Sequence, residues 1–105
     1  MYYTYVLYSP SLNTFYKGST NDLESRLYRH NHGYENFTKK GVPWELIWFT
    51  QKPTKSDAIK LEFKLKNLSH DRLKAFIIKF NSDINPNVNS TIFFMAVGSN
   101  LDEII

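Results

Sequence analysis

Apolar and β-branched residues fill both faces of Tyr2–Ser9, with Tyr3, Tyr5 and Leu7 on one side and Thr4, Val6 and Tyr8 on the other. A run of that kind predicts a buried strand. Pro10, Ser11, Leu12 and Asn13 are turn residues, and Thr14–Ser19 then runs back, so an antiparallel hairpin is expected that brings Tyr5 within reach of Tyr16. Asn21 followed three positions on by Glu24 has capping-box spacing, which starts a helix at Asp22 and carries it to about Asn31. On that helix Leu23 and Leu27 face a core, while Arg26 and His30, four apart, share a neighbouring face. Residues 32–43 hold two glycines and a proline without periodicity and read as a loop.

Trp44–Thr50 is a third strand with large apolar groups on both faces, ended by Pro53. Thr54 or Ser56 caps the next helix, where Ala58, Leu61, Leu65 and Leu68 recur at core spacing and Ile59 and Phe63 widen the stripe. Ser69 caps a third helix through Leu73, Phe76, Ile77 and Phe80 to about Asn81. The order strand, strand, helix, strand, helix, helix predicts an α/β (α+β) fold, a small, largely antiparallel three-stranded sheet covered by about three helices. Residues 83–90 are rich in helix and strand breakers and read as a linker. Thr91–Val97 is an apolar, β-prone run: an added strand, a dimer contact or a tail, with burial favoured because an unpaired apolar strand aggregates. The expected division is a domain over 1–82 and an apolar C-terminal segment over 83–105.

A chain of 105 residues suits one core and has no room for two catalytic domains. Without cysteine there is no disulfide framework, zinc–thiolate site or thiol nucleophile, so any metal must be held by oxygen or imidazole. Thirteen Lys and Arg against ten Asp and Glu give a net charge of +3, compatible with a polyanionic partner without establishing one. No stretch reaches the roughly 18 apolar residues of a membrane span, and no charged leader precedes an apolar run at the start. A cytoplasmic location with no membrane partner is the expectation.

Glu62 is the anomaly of the pattern. On a helical wheel it falls between Ala58 and Ile59, inside the apolar arc, with Lys66 one turn further on the same side. A carboxylate there needs a partner, a metal or a water-filled cleft; the ordinary alternative is an i,i+4 ion pair at the edge of the stripe. Tyr16, Arg26 and His30 likewise have ordinary readings as half-buried packing and solvated helix charges. Gly18 lets the backbone turn so that Tyr16 looks along the same cleft as Arg26 and His30. In the long loop, Lys39 and Lys40 beside Tyr34 and Phe37 form what a nucleic-acid backbone would meet, or an ordinary solvated loop.

Five blocks in order tip the balance: Tyr5-Val6-Leu7-Tyr8-Ser9; Phe15-Tyr16-Lys17-Gly18-Ser19-Thr20; Asp22-Leu23 with Arg26-Leu27 and His30-Asn31; Gly41 with Pro43-Trp44-Glu45-Leu46; and Ala58-Ile59 with Glu62 and Lys66. Over residues 2–80 the chain resembles the GIY-YIG nucleases, most of all the small stand-alone bacterial members related to the N-terminal nuclease domain of the C component of excinuclease. The resemblance implies a metal-dependent endonuclease acting on DNA, branched or damaged DNA included, with a role in repair or recombination. It implies that Glu62 holds one Mg2+ or Mn2+ ion and that Arg26 carries transition-state charge on the phosphate. It further implies that Tyr5 takes the proton of the attacking water, with Arg26 and the metal favouring its phenolate, that Tyr16 positions the nucleophile or phosphate, and that His30 orients the water or shares its proton. Lys17, Arg29, Lys39, Lys40 and Lys66 become candidate phosphate contacts. The first motif here is Tyr3-Thr4-Tyr5 and the second Tyr16-Lys17-Gly18, changes at positions the chemistry need not touch. The alternatives are a nucleic-acid-binding module without catalysis and a partner-binding protein that keeps only the fold. A domain this small has little surface for reading bases, so a helper protein, or a homodimer through the C-terminal apolar run, is also expected.

Overall fold

Because both faces of the first strand are apolar, it takes the middle of the sheet. In the computed structural model, which describes residues 1–104, β1 (Tyr2–Ser9) pairs on one side with β2 (Thr14–Thr20) and on the other with β3 (Glu45–Lys52). Both pairings are antiparallel, giving the order β2-β1-β3. Tyr5 stands opposite Gly18 on β2 and Phe49 on β3, and a register shift between Val6 and Leu7 bends the second ladder.

The helices α1 (Leu23–Asn31), α2 (Lys55–Lys66), α3 (His70–Lys79), α4 (Ser90–Val97) and α5 (Leu101–Ile104) complete the fold among the described residues. Each face of β1 looks into its own core. Val6 and Tyr8 join Ile47, Trp48, Leu65, Leu73, Ile77 and Phe93 in the larger one, whereas Tyr5, Leu7 and Trp44 form a smaller one flanked by Tyr16, Leu23 and Leu27 of the hairpin and α1. The alternation of the strand thus turns Tyr5 and Leu7 toward α1 and turns Thr4, Val6 and Tyr8 toward α2. Phe63, expected in the helical stripe, is instead 64% exposed: Ala58 and Leu65 are the buried positions of α2, and Phe63 sits off their line. The Thr54 side chain caps α2 by accepting from Asp57 N at 3.1 Å, and Ser69 caps α3 in the same way. Thr4, in the first motif, donates its buried hydroxyl to the Ala58 carbonyl at 2.8 Å and so ties α2 to β1 one turn before Glu62.

The breaker-rich stretch expected as a linker closes the outer edge of β3. Asn85 donates its backbone N–H to Ile47 O at 2.8 Å and its side-chain amide to Leu46 O at 2.9 Å, and Ile84 bridges Trp48. Pairing of this kind protects an edge that would otherwise template another chain. The apolar run after it is a helix, not a strand. Asn89 caps it through hydrogen bonds from Thr91 N and Ile92 N, and Gly98 ends it at φ 79°, a left-handed position suited to glycine. Helical spacing sends Phe93, Ala96 and Val97 into the main core, so packing crosses the boundary drawn at residue 82. Residue 105, the end of that expected segment, lies outside the described residues. No helix among the described residues is long and apolar enough to cross a membrane.

If residues 83–104 fold as one unit with the preceding domain, Phe93→Ala, which removes a fully buried ring, lowers the unfolding free energy by about 3–5 kcal/mol in a urea titration. A loss below about 1 kcal/mol with an unchanged transition would mean that α4 is an appendage.

Candidate active site

The second side of β1 carries Tyr5 toward α1. Tyr5 projects from the middle of the strand and is 1% exposed. Its hydroxyl fits because the residue across the ladder has no side chain: a Cβ on Gly18 would lie 2.6 Å from Tyr5 Oη and 2.7 Å from Cζ. Gly18 is therefore not the hinge expected for it, since β2 runs straight through it to Thr20. Two residues earlier on the same strand, Tyr16 brings its ring within 6.3 Å of Tyr5. The first helix is capped by Asp22, whose carboxylate accepts from Ser25 N at 3.1 Å, one residue later than the Asn21 cap expected from the capping-box spacing. Arg26 and His30 keep their one-turn separation on it and both point at the tyrosines.

His30 is fully buried, its ring 4.7 Å from that of Tyr16. Nε2 lies 3.2 Å from Tyr5 Oη and Nδ1 lies 2.9 Å from Thr38 Oγ1. Thr38 donates its hydroxyl to the Glu35 carbonyl at 3.4 Å, which leaves its oxygen to accept from Nδ1–H. That assignment makes Nε2 the acceptor of the Tyr5 O–H. Burial, then the Arg26 charge, hold the His30 pKa below its ordinary value, so the ring is neutral at pH 7. Tyr5 is pushed up to about 12 by burial first and by Tyr16 next, while Arg26 opposes the rise. Arg26 by itself does not make Tyr5 a phenolate, because removing the ring from water outweighs the neighbouring charge. Nε of Arg26 is buried and makes no hydrogen bond, and one of its terminal nitrogens lies 3.9 Å from Glu35.

Glu62 enters from α2. Its side chain, 19% exposed, accepts from Ser19 Oγ at 2.6 Å through Oε1 and pairs with Lys66 Nζ at 2.6 Å through Oε2. Its charge adds a minor part of the rise in the Tyr5 pKa. The partner demanded by its place in the apolar arc is thus a hydroxyl and an ammonium group. Among the described residues no three His, Asp or Glu side chains gather to hold a metal. One carboxylate beside a hydroxyl still suits a hard cation that keeps water and phosphate as its other ligands. Lys66, half exposed at the end of a long flexible stem, is able to swing off the carboxylate.

The basic residues divide. Lys17 and Lys66 line a cavity of about 400 Å3 with Phe15, Tyr16 and Phe37, next to the tyrosine cluster. Burial and then the Lys66 charge push the Lys17 pKa down, the signature of two ammonium groups held near each other. Arg29 faces elsewhere, bonded to Glu35 Oε1 at 3.0 Å and lying 5.7 Å over the Tyr34 ring. Lys39 and Lys40 stand exposed on a single 3-10 turn and line neither cavity that flanks the cluster. Sequence reasoning missed Ser19, Thr38 and Lys55. Ser19 sits inside a recognised block, but its bond to Glu62 spans 43 positions and has no local signal. Thr38 is a buried polar residue in what reads as an open loop. Lys55 lines a second, polar cavity of about 260 Å3 with Ser19, Asn21 and Arg26.

Two tyrosines from a hairpin, an arginine and a histidine one turn apart on the following helix, and a carboxylate from the next helix define the class of protein. The family model for the GIY-YIG catalytic domain matches residues 1–75, and the chain belongs to this family of nucleases. Its relatives are small bacterial proteins. It is 36% identical over 66 residues to UPF0213 protein YazA of Bacillus subtilis, covering 62% of this chain and 67% of that one. With UPF0213 protein YsiG of Lactococcus lactis it shares 37% over 79 residues, 74% of this chain and 75% of the relative. A UPF0213 protein of Limosilactobacillus reuteri is 31% identical over 86 residues, 79% of this chain and 88% of the relative.

Gly18→Ala is expected to force the Tyr5 ring off the ladder and to destabilise the fold by about 1–3 kcal/mol in chemical denaturation, the range for overpacking a filled site. A neutral result would show that Tyr5 does not depend on that close approach. The raised Tyr5 pKa has a definite sign: its contribution to stability is whole below pH about 10 and is lost as pH rises toward about 12. Denaturation midpoints should therefore fall more steeply over that window in the wild type than in Tyr5→Phe, and parallel curves would overturn the assignment.

Proposed function

We propose that the chain is an endonuclease that hydrolyses DNA phosphodiester bonds with one divalent cation, Mg2+ or Mn2+. The observation that carries the reading is the buried Tyr5–His30–Thr38 chain of hydrogen bonds with the Arg26 guanidinium beside Tyr5. The scissile phosphate lies against Arg26, whose terminal nitrogens donate to its oxygens and stabilise the charge gained in the transition state. Water attacks phosphorus while its proton passes to Tyr5 Oη. The phenol's own proton moves to His30 Nε2, and the leaving oxygen takes a proton from solvent.

This relay answers the problem of a phenol with a pKa near 12. Tyr5 never has to stand as a free phenolate, because a neutral imidazole already accepts from it. Thr38 holds the tautomer that leaves Nε2 open. Tyr16 packs against both rings and positions them and the phosphate. Glu62 would hold the cation, which supplies positive charge on the phosphate when bound, and Ser19 orients the carboxylate. Lys17 and Lys66 contact flanking phosphates, and Arg29, Lys39 and Lys40 act as outlying phosphate contacts once Arg29 leaves Glu35. The family acts on DNA; branched or damaged strands, a repair role and a cytoplasmic setting are the finer parts of the proposal. A homodimer through the C-terminal run would rest on Phe94 and Met95, about half exposed, because Phe93, Ala96 and Val97 are engaged in the core.

One observation favours a second reading. The Glu62–Lys66 pair at 2.6 Å is an ordinary i,i+4 ion pair, and a module that binds DNA without cutting it would keep it. Labelled branched and linear DNA incubated with Mg2+, with Mn2+ and with chelator separates the two. Cation-dependent cleavage should fall roughly 100-fold or more in Arg26→Ala and in Glu62→Gln, and by roughly 100-fold in His30→Ala, with binding retained. Binding without cleavage by the wild type would establish the second reading, and cleavage unaffected by either Arg26→Ala or Glu62→Gln would sink the first.

A further inference from the structure

Beside the site lies a cavity whose two phenyl rings, Phe15 and Phe37, take no part in the chemistry above. Phe15, Tyr16, Lys17, Phe37 and Lys66 enclose about 400 Å3, inside the roughly 300–1,000 Å3 span of small-ligand sites. Its lining is mixed in a particular way, three aromatic rings together with two ammonium groups. Phe37 is the odd member. Its side chain is 88% exposed and belongs to neither core, yet its ring stands 6.3 Å from that of Tyr16 with the planes at 51°. A phenyl ring in that position contributes almost nothing to folding and leaves its apolar face open to a ligand. Tyr16 links the cavity to the cluster, since the same ring lies 4.7 Å from His30 and 6.3 Å from Tyr5. A group seated in the cavity is therefore one ring away from the atoms assigned to phosphate hydrolysis.

We propose that this cavity receives an unpaired base of the DNA strand being cut, at the nucleotide beside the scissile phosphate, with Phe37 as its stacking platform and Lys17 and Lys66 on its flanking phosphate. The inference rests on the nuclease reading and adds to it the state of the substrate. Within a duplex the faces of each base are covered by its neighbours and only its edges reach the grooves, so a paired base has nothing to offer an aromatic slot. A base in a single strand, a frayed end or a distorted pair exposes both faces and enters at little cost in unstacking. Two cations beside apolar walls match the two halves of a nucleotide, an anionic phosphate and a flat ring. Stacking is blind to base identity, so the cavity selects for unpaired structure rather than for sequence.

The test reads binding by fluorescence anisotropy of the whole chain in chelator, where nothing is cleaved, on a labelled single strand and on the same strand in a duplex. Phe37→Ala should weaken single-strand binding about 5- to 100-fold, change duplex binding less than about twofold and leave the melting temperature in place, while Phe37→Trp restores the affinity. Equal single-strand binding by wild type and Phe37→Ala overturns the proposal, as does an equal loss on strand and duplex, which would mean a phosphate-only surface. The two readings fail separately. A chain that cuts DNA with Arg26 dependence while Phe37→Ala binds like the wild type defeats the pocket alone. A chain that cuts nothing yet loses single-strand affinity in Phe37→Ala defeats the nuclease reading alone.

Discussion

A phenol pressed against a glycine governs this structure. Tyr5 and Gly18 face each other in the ladder between the first two strands, and the tyrosine ring occupies the space that any side chain on the second would fill. A strand pair brings opposed Cβ atoms within about 5.5 Å, so only the smallest residue lets a partner's ring turn inward over the sheet. With the ring so placed, its hydroxyl ends beside a helix rather than in water, and the imidazole and guanidinium of that helix become its surroundings. The reactive end of Tyr5 is thus set by a rigid strand and not by a loop.

Burial has an electrostatic consequence that runs through the site. Taking Tyr5 out of water raises its pKa and taking His30 out of water lowers its own, so both stay neutral at pH 7 and share one hydrogen bond. Two neutral groups in contact hold a proton that can move in one direction, toward the imidazole. Thr38, buried on the far side of the ring, gives that direction its meaning by occupying the other nitrogen. Glu62 is treated oppositely. It remains partly exposed, with a hydroxyl and an ammonium group already on its oxygens.

The two faces of the central strand divide the site between them, with Tyr5, Arg26 and His30 on the α1 side and Glu62 and Ser19 on the α2 side. The larger core takes Val6 and Tyr8 and is sealed by α2, α3 and α4, and the segment after residue 82 both lends it Phe93 and covers the outer edge of β3. The smaller core holds Tyr5, with Tyr16 and α1 against it. Thr4 joins the two sides, since its hydroxyl reaches the carbonyl of Ala58 and thereby sets the height at which Glu62 meets the hairpin. A position in the first motif that the chemistry never touches thus carries the alignment between sheet and carboxylate.

Hydropathy period and cap residues were enough to place the three strands, the Ser69 cap and the two long helices, and to narrow the cap of α2 to Thr54 or Ser56, because each depends on neighbours within a few residues. The same patterns put Arg26 and His30 one turn apart and brought the two tyrosines together, since a hairpin's register follows from its turn. Where local rules compete, they misled: Asp22 rather than Asn21 caps the first helix, Phe63 lies off the buried line, and the run 91–97 is helical despite its β-branched and aromatic content. Only tertiary structure joined Ser19 to Glu62, Thr38 to His30 and Thr4 to Ala58, pairs separated by 43, 8 and 54 positions. Local spacing carries period and caps, whereas a hydrogen bond between distant elements depends on how their faces stack, and that is decided by the packing of the whole chain.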